Sequence, residues 1–279
     1  LDGLENLALS GKYVYAIARD DDRITAIDVS DPYNPVITGS SPVDSTDTNI
    51  PRAIYIQGKY AYVAVRADSG GLTSGARLTI FDISDPTNIV KLGVATSANL
   101  DDARGVYVSG RYAYVTGFVS DSVVAFDVSN PYAVTQVGQI TDATNLNGAI
   151  DIKVYGKYAY VTNNVGDGFT ILDVSNPASP TFLKSVTSST QLDGPTYFVM
   201  TGRYAYIPAS VDDMFTIVDT GYELPTLYAG ALGSGQLFVD NDARVSNDLV
   251  VGNGLNVGST IFANEGVASY FRTASASAG

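Results

Sequence analysis

The feature that most constrains this chain is a short aromatic hairpin spelled five times: GKYVY at Gly11–Tyr15, GKYAY at Gly58–Tyr62, GRYAY at Gly110–Tyr114, GKYAY at Gly156–Tyr160 and GRYAY at Gly202–Tyr206. A second marker keeps the same beat, with DVSDP from Asp28, DISDP from Asp82, DVSNP from Asp127, DVSNP from Asp173 and a degenerate VDTGYELP around Asp219. Two independent markers recurring roughly every 46 residues define a structural repeat, which must bury its apolar faces against its own copies.

Each copy parses into four strands by alternation and turn chemistry. In the second, AIYIQ enters a turn at Gly58-Lys59 and returns as YAYVAV; LTIFDIS follows, then a turn at Asp85-Pro86, then IVKLGVAT. Glycine at the first turn position supplies the positive φ of a type II′ hairpin, and Asp or Asn before Pro caps a turn through its own side chain. Asp28, Asp82, Asp127, Asp173 and Asp219 are therefore expected to be architectural. Small four-stranded sheets repeated at this period predict blades around a central axis, an all-β, five-bladed β-propeller over residues 1–230. The leading tyrosines of the hairpins, Tyr13, Tyr60, Tyr112, Tyr158 and Tyr204, are expected to pack between blades.

The hairpin G-[KR]-Y-[AV]-Y followed by a strand ending in D-[VI]-S-[DN]-P resembles the LVIVD-repeat family. The resemblance covers about residues 1–230, with the fifth copy departing from it where TGYELP replaces S-[DN]-P. It implies the propeller fold and a repeat found on extracellular, cell-surface and viral proteins. It carries over no catalytic residue.

Beyond residue 230 the rhythm changes to hexads, LFVDND, ARVSND, LVVGNG, LNVGST and IFANEG over Leu237–Gly266. Valine or alanine at each third position, with polar corners, is how β-solenoid rungs are written. Five hexads are too few to bury those valines in one chain, so residues 231–279 are expected to form a short solenoid-like segment, with three copies trimerising through residues 237–266. That segment resembles the shafts of phage tail fibres and spikes.

Composition excludes several chemistries. The chain has no His and no Cys, so Ser-His-Asp triads, imidazole proton shuttles, the usual zinc sites and disulfides are all ruled out. The formal charge of −13 argues against nucleic acid as a partner. No apolar run suits a membrane span, so no membrane insertion is expected. Leu1 in place of an initiator Met implies processing or trimming.

The loops between successive blades are long and polar: residues 40–52, 96–104, 141–149 and 187–195. They should gather on one face around the axis, which makes Asp44, Asp47, Arg52, Asp101, Asp102, Arg104, Asp142, Asp151 and Asp193 the candidate binding rim. Asp20, Asp21, Asp22, Asp212 and Asp213 occupy the loops between second and third strands and read as surface charge. No cofactor is expected; the rim carboxylates could hold Ca²⁺ or sugar hydroxyls, although their spacing matches no calcium loop. The sequence favours a non-enzymatic attachment protein of a virion or extracellular appendage, presenting its loops to a protein or glycan on a cell surface. One alternative is a secreted or cell-surface interaction module of a bacterium or archaeon. Another is a carboxylate-based glycan-active enzyme, which needs no histidine.

Overall fold

A computed structural model describes residues 1–66, 75–211 and 213–221. The expected hexad segment, its trimerisation and the boundary at residue 230 lie outside the described residues. Within them the chain is an all-β, five-bladed propeller, each blade an antiparallel meander. Blade 1 comprises β1 (Leu4–Ser10), β2 (Tyr13–Ala18), β3 (Arg23–Asp28) and β4 (Val36–Ser40). Blade 2 comprises β5 (Pro51–Gln57), β6 (Tyr60–Val65), β7 (Arg77–Asp82) and β8 (Val90–Thr96). Blade 3 comprises β9 (Ala103–Ser109), β10 (Tyr112–Gly117), β11 (Ser122–Asp127) and β12 (Thr135–Thr141). Blade 4 comprises β13 (Ala149–Tyr155), β14 (Tyr158–Asn163), β15 (Gly168–Asp173) and β16 (Thr181–Thr187). Blade 5 shows β17 (Val199–Thr201), β18 (Tyr204–Ala209) and β19 (Met214–Asp219) among the described residues.

The hairpin glycines at 11, 58, 110, 156 and 202 all have φ between 56° and 61°, which is why this position is never another residue. The lysine or arginine after each glycine lies over the ring of the tyrosine that follows, at 5.0 Å for Lys12 on Tyr13 and 5.2 Å for Lys59 on Tyr60. In blades 1, 2, 3 and 5 the same cation reaches the aspartate that ends the third strand, as in Lys12–Asp28 (2.8 Å) and Arg203–Asp219 (2.8 Å). That aspartate also accepts the N–H two residues on, at 2.9 Å from Ser30, Ser84 and Ser129. The architectural reading of these five aspartates therefore stands on visible bonds. The leading tyrosines of blades 1 to 4 pack partly buried against the inter-blade clusters, while the second tyrosine of each pair, Tyr15, Tyr62, Tyr114 and Tyr160, is the one fully interred.

Four seams hold the blades together, and each repeats one pattern. The first strand of a blade, in blade 5 together with the residue before it, lays two apolar side chains on the second and third strands of the blade before it. Ile54 and Ile56 meet Tyr15, Ile24 and Ala26; Val106 and Val108 meet Tyr62, Leu78 and Ile80; Ile152 and Val154 meet Tyr114, Val123 and Ala125; Phe198 and Met200 meet Tyr160, Phe169 and Ile171. The corresponding residues at the seam between blades 5 and 1 stay in solvent, with Leu7 55%, Leu9 65%, Phe215 63% and Ile217 55% exposed.

Candidate functional site

The site is built on the first strands of the blades, which lie side by side around the axis. Near its start each of β1, β5, β9 and β13 slips register against its partner strand, between Leu4 and Asn6, Pro51 and Ala53, Ala103 and Val106, and Ala149 and Asp151. A bulge adds a residue to one strand and re-aims its side chain. Glu5, Arg52, Arg104 and Ile150 occupy that slot in the four blades. At one end of the axis, bulges thus replace a regular ladder with redirected side chains, charged in blades 1 to 3.

Glu5 and Arg52 pair directly across the first seam. The Nε of Arg52 is buried without a hydrogen-bond partner, so its guanidinium is incompletely satisfied where it stands. Tyr197 is 42% exposed, and its phenol feels this group: partial burial, then the carboxylates of Glu5 and Asp151, push it up, against Asn6 and Arg52, which act the other way. The Tyr197 hydroxyl therefore keeps its proton at neutral pH and can donate a hydrogen bond.

Asp151 is the most heavily used carboxylate here. It is buried and accepts hydrogen bonds from its own strand at Ile152 N (2.9 Å), from Lys153 Nζ (2.9 and 3.0 Å) and from Phe198 N in the next blade (3.2 Å). Through the last bond it fixes the backbone next to Tyr197. Lys153 also lies 5.4 Å from the Phe198 ring centroid.

A second group sits one blade away. Asp102 is buried with φ 51°, grips Arg104 through two bonds (3.0 and 2.7 Å) and meets Arg66 at 3.3 Å. Arg104 stacks over Phe118 at 4.4 Å. Between the groups β9 and β13 approach so closely that a β-carbon on Gly105 would lie 2.7 Å from the Ile150 carbonyl oxygen. Further along the axis Tyr55, Tyr107 and Tyr155 form a ladder with ring centroids 4.5 and 6.0 Å apart. Burial, followed by its two tyrosine neighbours, pushes the Tyr107 phenol up.

Of the nine rim residues named from sequence, the structure therefore sets Arg52, Asp102, Arg104 and Asp151 around the axis, with Arg52, Arg104 and Asp151 on strands rather than loops. The others serve their loops. Asp44 and Asp47 share Lys91, and Asp47 also binds the buried Arg77 (2.6 Å). For Asp44, burial would raise the carboxyl pKa, but Lys91 and two backbone N–H groups outweigh it and hold the group below its ordinary value. Asp142 caps its own turn through Thr144 N, Asn145 N and the Asn145 amide (3.0, 2.9 and 2.8 Å). Asp101 offers its backbone to Ser120, and the Asp193 carbonyl accepts Val211 N. Among the described residues no three carboxylates gather in a metal-binding set.

Asp22 is also more than surface charge. With φ 46° it accepts Ile50 N (3.2 Å), as Asp121 accepts Gly148 N (2.8 Å) and Asp167 accepts Gly194 N (3.1 Å), tying one blade's loop to the next.

Glu5, Arg66, Lys153 and Tyr197 are not among the residues expected from sequence. Stacking the first strands LENLALS, PRAIYIQ, ARGVYVS and AIDIKVY would have put Glu5 in the slot of Arg52 and Arg104. The same alignment sets Lys153 where Tyr55 and Tyr107 stand.

The LVIVD repeat pattern matches residues 4–42, 51–96, 101–142 and 148–188, more than half of the sequence. The chain belongs to the LVIVD-repeat family. The fifth copy falls outside the matched residues, as its altered turn leads one to expect. A search of curated proteins finds no match. Among solved structures this LVIVD-repeat chain is similar to a functionally unknown protein of Desulfotomaculum acetoxidans, at 13% identity and TM-score 0.60 over 78% of this chain and 69% of that one. It is also similar to a protein of Bacteroides uniformis provisionally named a 6-phosphogluconolactonase, at 16% identity and TM-score 0.55 over 80% and 72%. A third is the periplasmic gluconolactonase of Pseudomonas aeruginosa, at 15% identity and TM-score 0.54 over 70% and 55%. At these identities the likeness is one of fold.

Two expectations are corrected by these likenesses. Propellers of this shape include proteins named as lactonases, so the expected absence of enzymatic activity does not stand. The virion-attachment reading falls with it, because it treated the propeller as a scaffold without chemistry and drew its viral character from the hexad segment outside the described residues.

Proposed function

We propose that this propeller is a hydrolase that opens small cyclic esters of the sugar-lactone kind at the bulged end of its axis. The observation that supports this reading is the pairing of a carboxylate and a guanidinium, Glu5 and Arg52, with the Tyr197 phenol in their electrostatic field, in a chain with no histidine. Lactone hydrolysis needs a base for water and a donor for the carbonyl oxygen, and neither need be imidazole. In this scheme Glu5, oriented by Arg52, takes a proton from water as its oxygen bonds to the carbonyl carbon. Tyr197 donates a hydrogen bond to the developing oxyanion. The ring C–O bond then breaks, the proton held by Glu5 passes to the leaving alkoxide, and a hydroxy acid departs. The lactonase names borne by two propellers of similar fold supply the substrate class to try first.

The test is acid release at constant pH from D-glucono-1,5-lactone and a panel of sugar and aliphatic lactones, corrected for spontaneous opening. Turnover above background that falls about 100-fold or more in Glu5→Gln supports the reading, since a positioned base contributes about 10²–10⁴-fold. Background rates across the whole panel would dispose of it.

A further inference from the structure

Away from the axis, the seam between blades 4 and 5 departs from the other three formed seams in one readable way. On the outer strands of blades 1, 2 and 3, Gly39, Gly93 and Gly138 come against the carbonyls of Pro86, Pro131 and Pro177 in the third-to-fourth-strand turn of the next blade, with no room for a β-carbon. The residue at that register in blade 4 is Lys184, opposite Ile171 as Gly138 is opposite Ala125. In sequence the change coincides with the loss of S-[DN]-P in the fifth copy, so both motifs of the glycine-to-proline pairing are absent at this point of the repeat.

A cavity of about 240 Å³ occupies this seam, lined by Phe169, Ile171, Lys184, Val186, Val218 and Asp219, with Ser185 and Thr220. Its wall is apolar, and Phe169 and Ile171 belong to the buried core. Asp219 is already held by Arg203 (2.8 Å) and Gly221 N (2.9 Å), while the Ser185 hydroxyl is turned to Asn145 (2.8 Å). Lys184 is therefore the unneutralised charge of the lining among the described residues.

We infer that this cavity is a second binding site, separate from the axial one, for a compact amphipathic carboxylate whose apolar body lies on Phe169, Ile171, Val186 and Val218 and whose anionic head meets Lys184. An ammonium at the edge of an apolar pocket favours that pairing because the ligand's carbon surface leaves water while its charge finds an opposite one. The volume lies below the drug-sized range of about 300–1,000 Å³, which selects a small ligand.

The probe is phenylacetate, titrated calorimetrically into the whole chain beside its neutral analogue 2-phenylethanol. Phenylacetate should bind at least 10-fold more tightly than the alcohol. Lys184→Met should remove that preference and leave alcohol binding unchanged, and Val186→Trp, which fills the cavity, should abolish both; thermal melts confirm that each variant folds. Equal affinity for acid and alcohol, no binding of either, or indifference to both substitutions overturns the inference. Lactone turnover is not required in any arm, so its outcome and this one are independent.

Discussion

A β-carbon added to Gly39 would lie 2.5 Å from the carbonyl oxygen of Pro86, in the neighbouring blade. Backbone atoms cannot yield as a side-chain tip does, so the blades themselves must move. Gly39→Ala is expected to lower stability by about 1–3 kcal/mol, the usual cost of overpacking, read as a lower urea midpoint at unchanged slope. Lys184→Ala, at the same register in blade 4, should stay within about 0.5 kcal/mol, as exposed substitutions do.

Ile50 stands in the left-handed region at φ 53°, where a β-branched side chain is strained. The same place after the loop is Gly148 in blade 4 and Gly194 in blade 5, both at positive φ with N–H groups held by aspartates as Ile50 N is held by Asp22. Ile50→Gly should therefore stabilise the protein by about 1 kcal/mol, since left-handed backbone costs a non-glycine residue about 1–2 kcal/mol and glycine's extra unfolded-state entropy takes part of that back. Differential scanning calorimetry would show the rise in Tm.

How much of this was legible in the sequence follows from what each residue does. Turns announced themselves, because Gly58 and Asp85-Pro86 are fixed by local backbone needs that do not depend on the rest of the chain. The blade-to-blade pairing followed from the repeat. The axial site did not, because its position is set by bulges: stacking the first strands lines up Glu5, Arg52 and Arg104, but an extra residue in β1 or β5 leaves no local mark, and only the register of the finished sheet reveals that their shared slot is bulged. Loop aspartates were overrated for a related reason, since a carboxylate that caps its own turn, such as Asp142, looks in sequence like one left free for a ligand.

Asp28 and Asp127 are held down to about 2, first by Lys12 and Arg111 respectively and then by Ser30 and Ser129. A folded carboxyl pKa below the ordinary 3.8 means these contacts stabilise fully above the unfolded value and lose their effect as pH falls through the folded one. Melting temperature should thus hold steady down to about pH 4 and decline between about pH 4 and 2. In Lys12→Met and Arg111→Met variants that acid-side slope should flatten, which a melt series at fixed ionic strength would record.

Exposed apolar residues at the seam between blades 5 and 1 set an order of local stability. Blades 2 to 4 each have both faces in buried clusters, whereas Phe215 and Ile217 on β19 and Leu7 and Leu9 on β1 are more than half exposed. Segments with few buried apolar contacts open at lower free energy. Hydrogen exchange should be faster for the amides of β18 and β19 than for those of β10 and β14, which occupy the equivalent second-strand position in blades 3 and 4 in the case of β18. Equal protection throughout would mean that the outer seams contribute little to holding the blades.

Asp151 joins stability to the axial site. Its carboxylate satisfies Lys153 and the Phe198 N–H together, so Asp151→Ala strands a partly buried ammonium and a buried backbone donor. Leaving such groups unpaired costs about 2–4 kcal/mol, at the low side of a fully buried pair because Lys153 keeps some contact with water. Asp101→Ala, one blade away and outside any ion pair among the described residues, should cost under about 0.5 kcal/mol. If the loss in Asp151→Ala comes from the stranded charge, adding Lys153→Met should recover part of the stability. Lactone turnover should not recover with it, because the acceptor that fixes the backbone beside Tyr197 would still be missing. Urea unfolding and initial rates measured on the same four proteins separate the two effects: stability restored without activity makes Asp151 a positioning residue for Tyr197, whereas joint recovery would assign it to the fold alone.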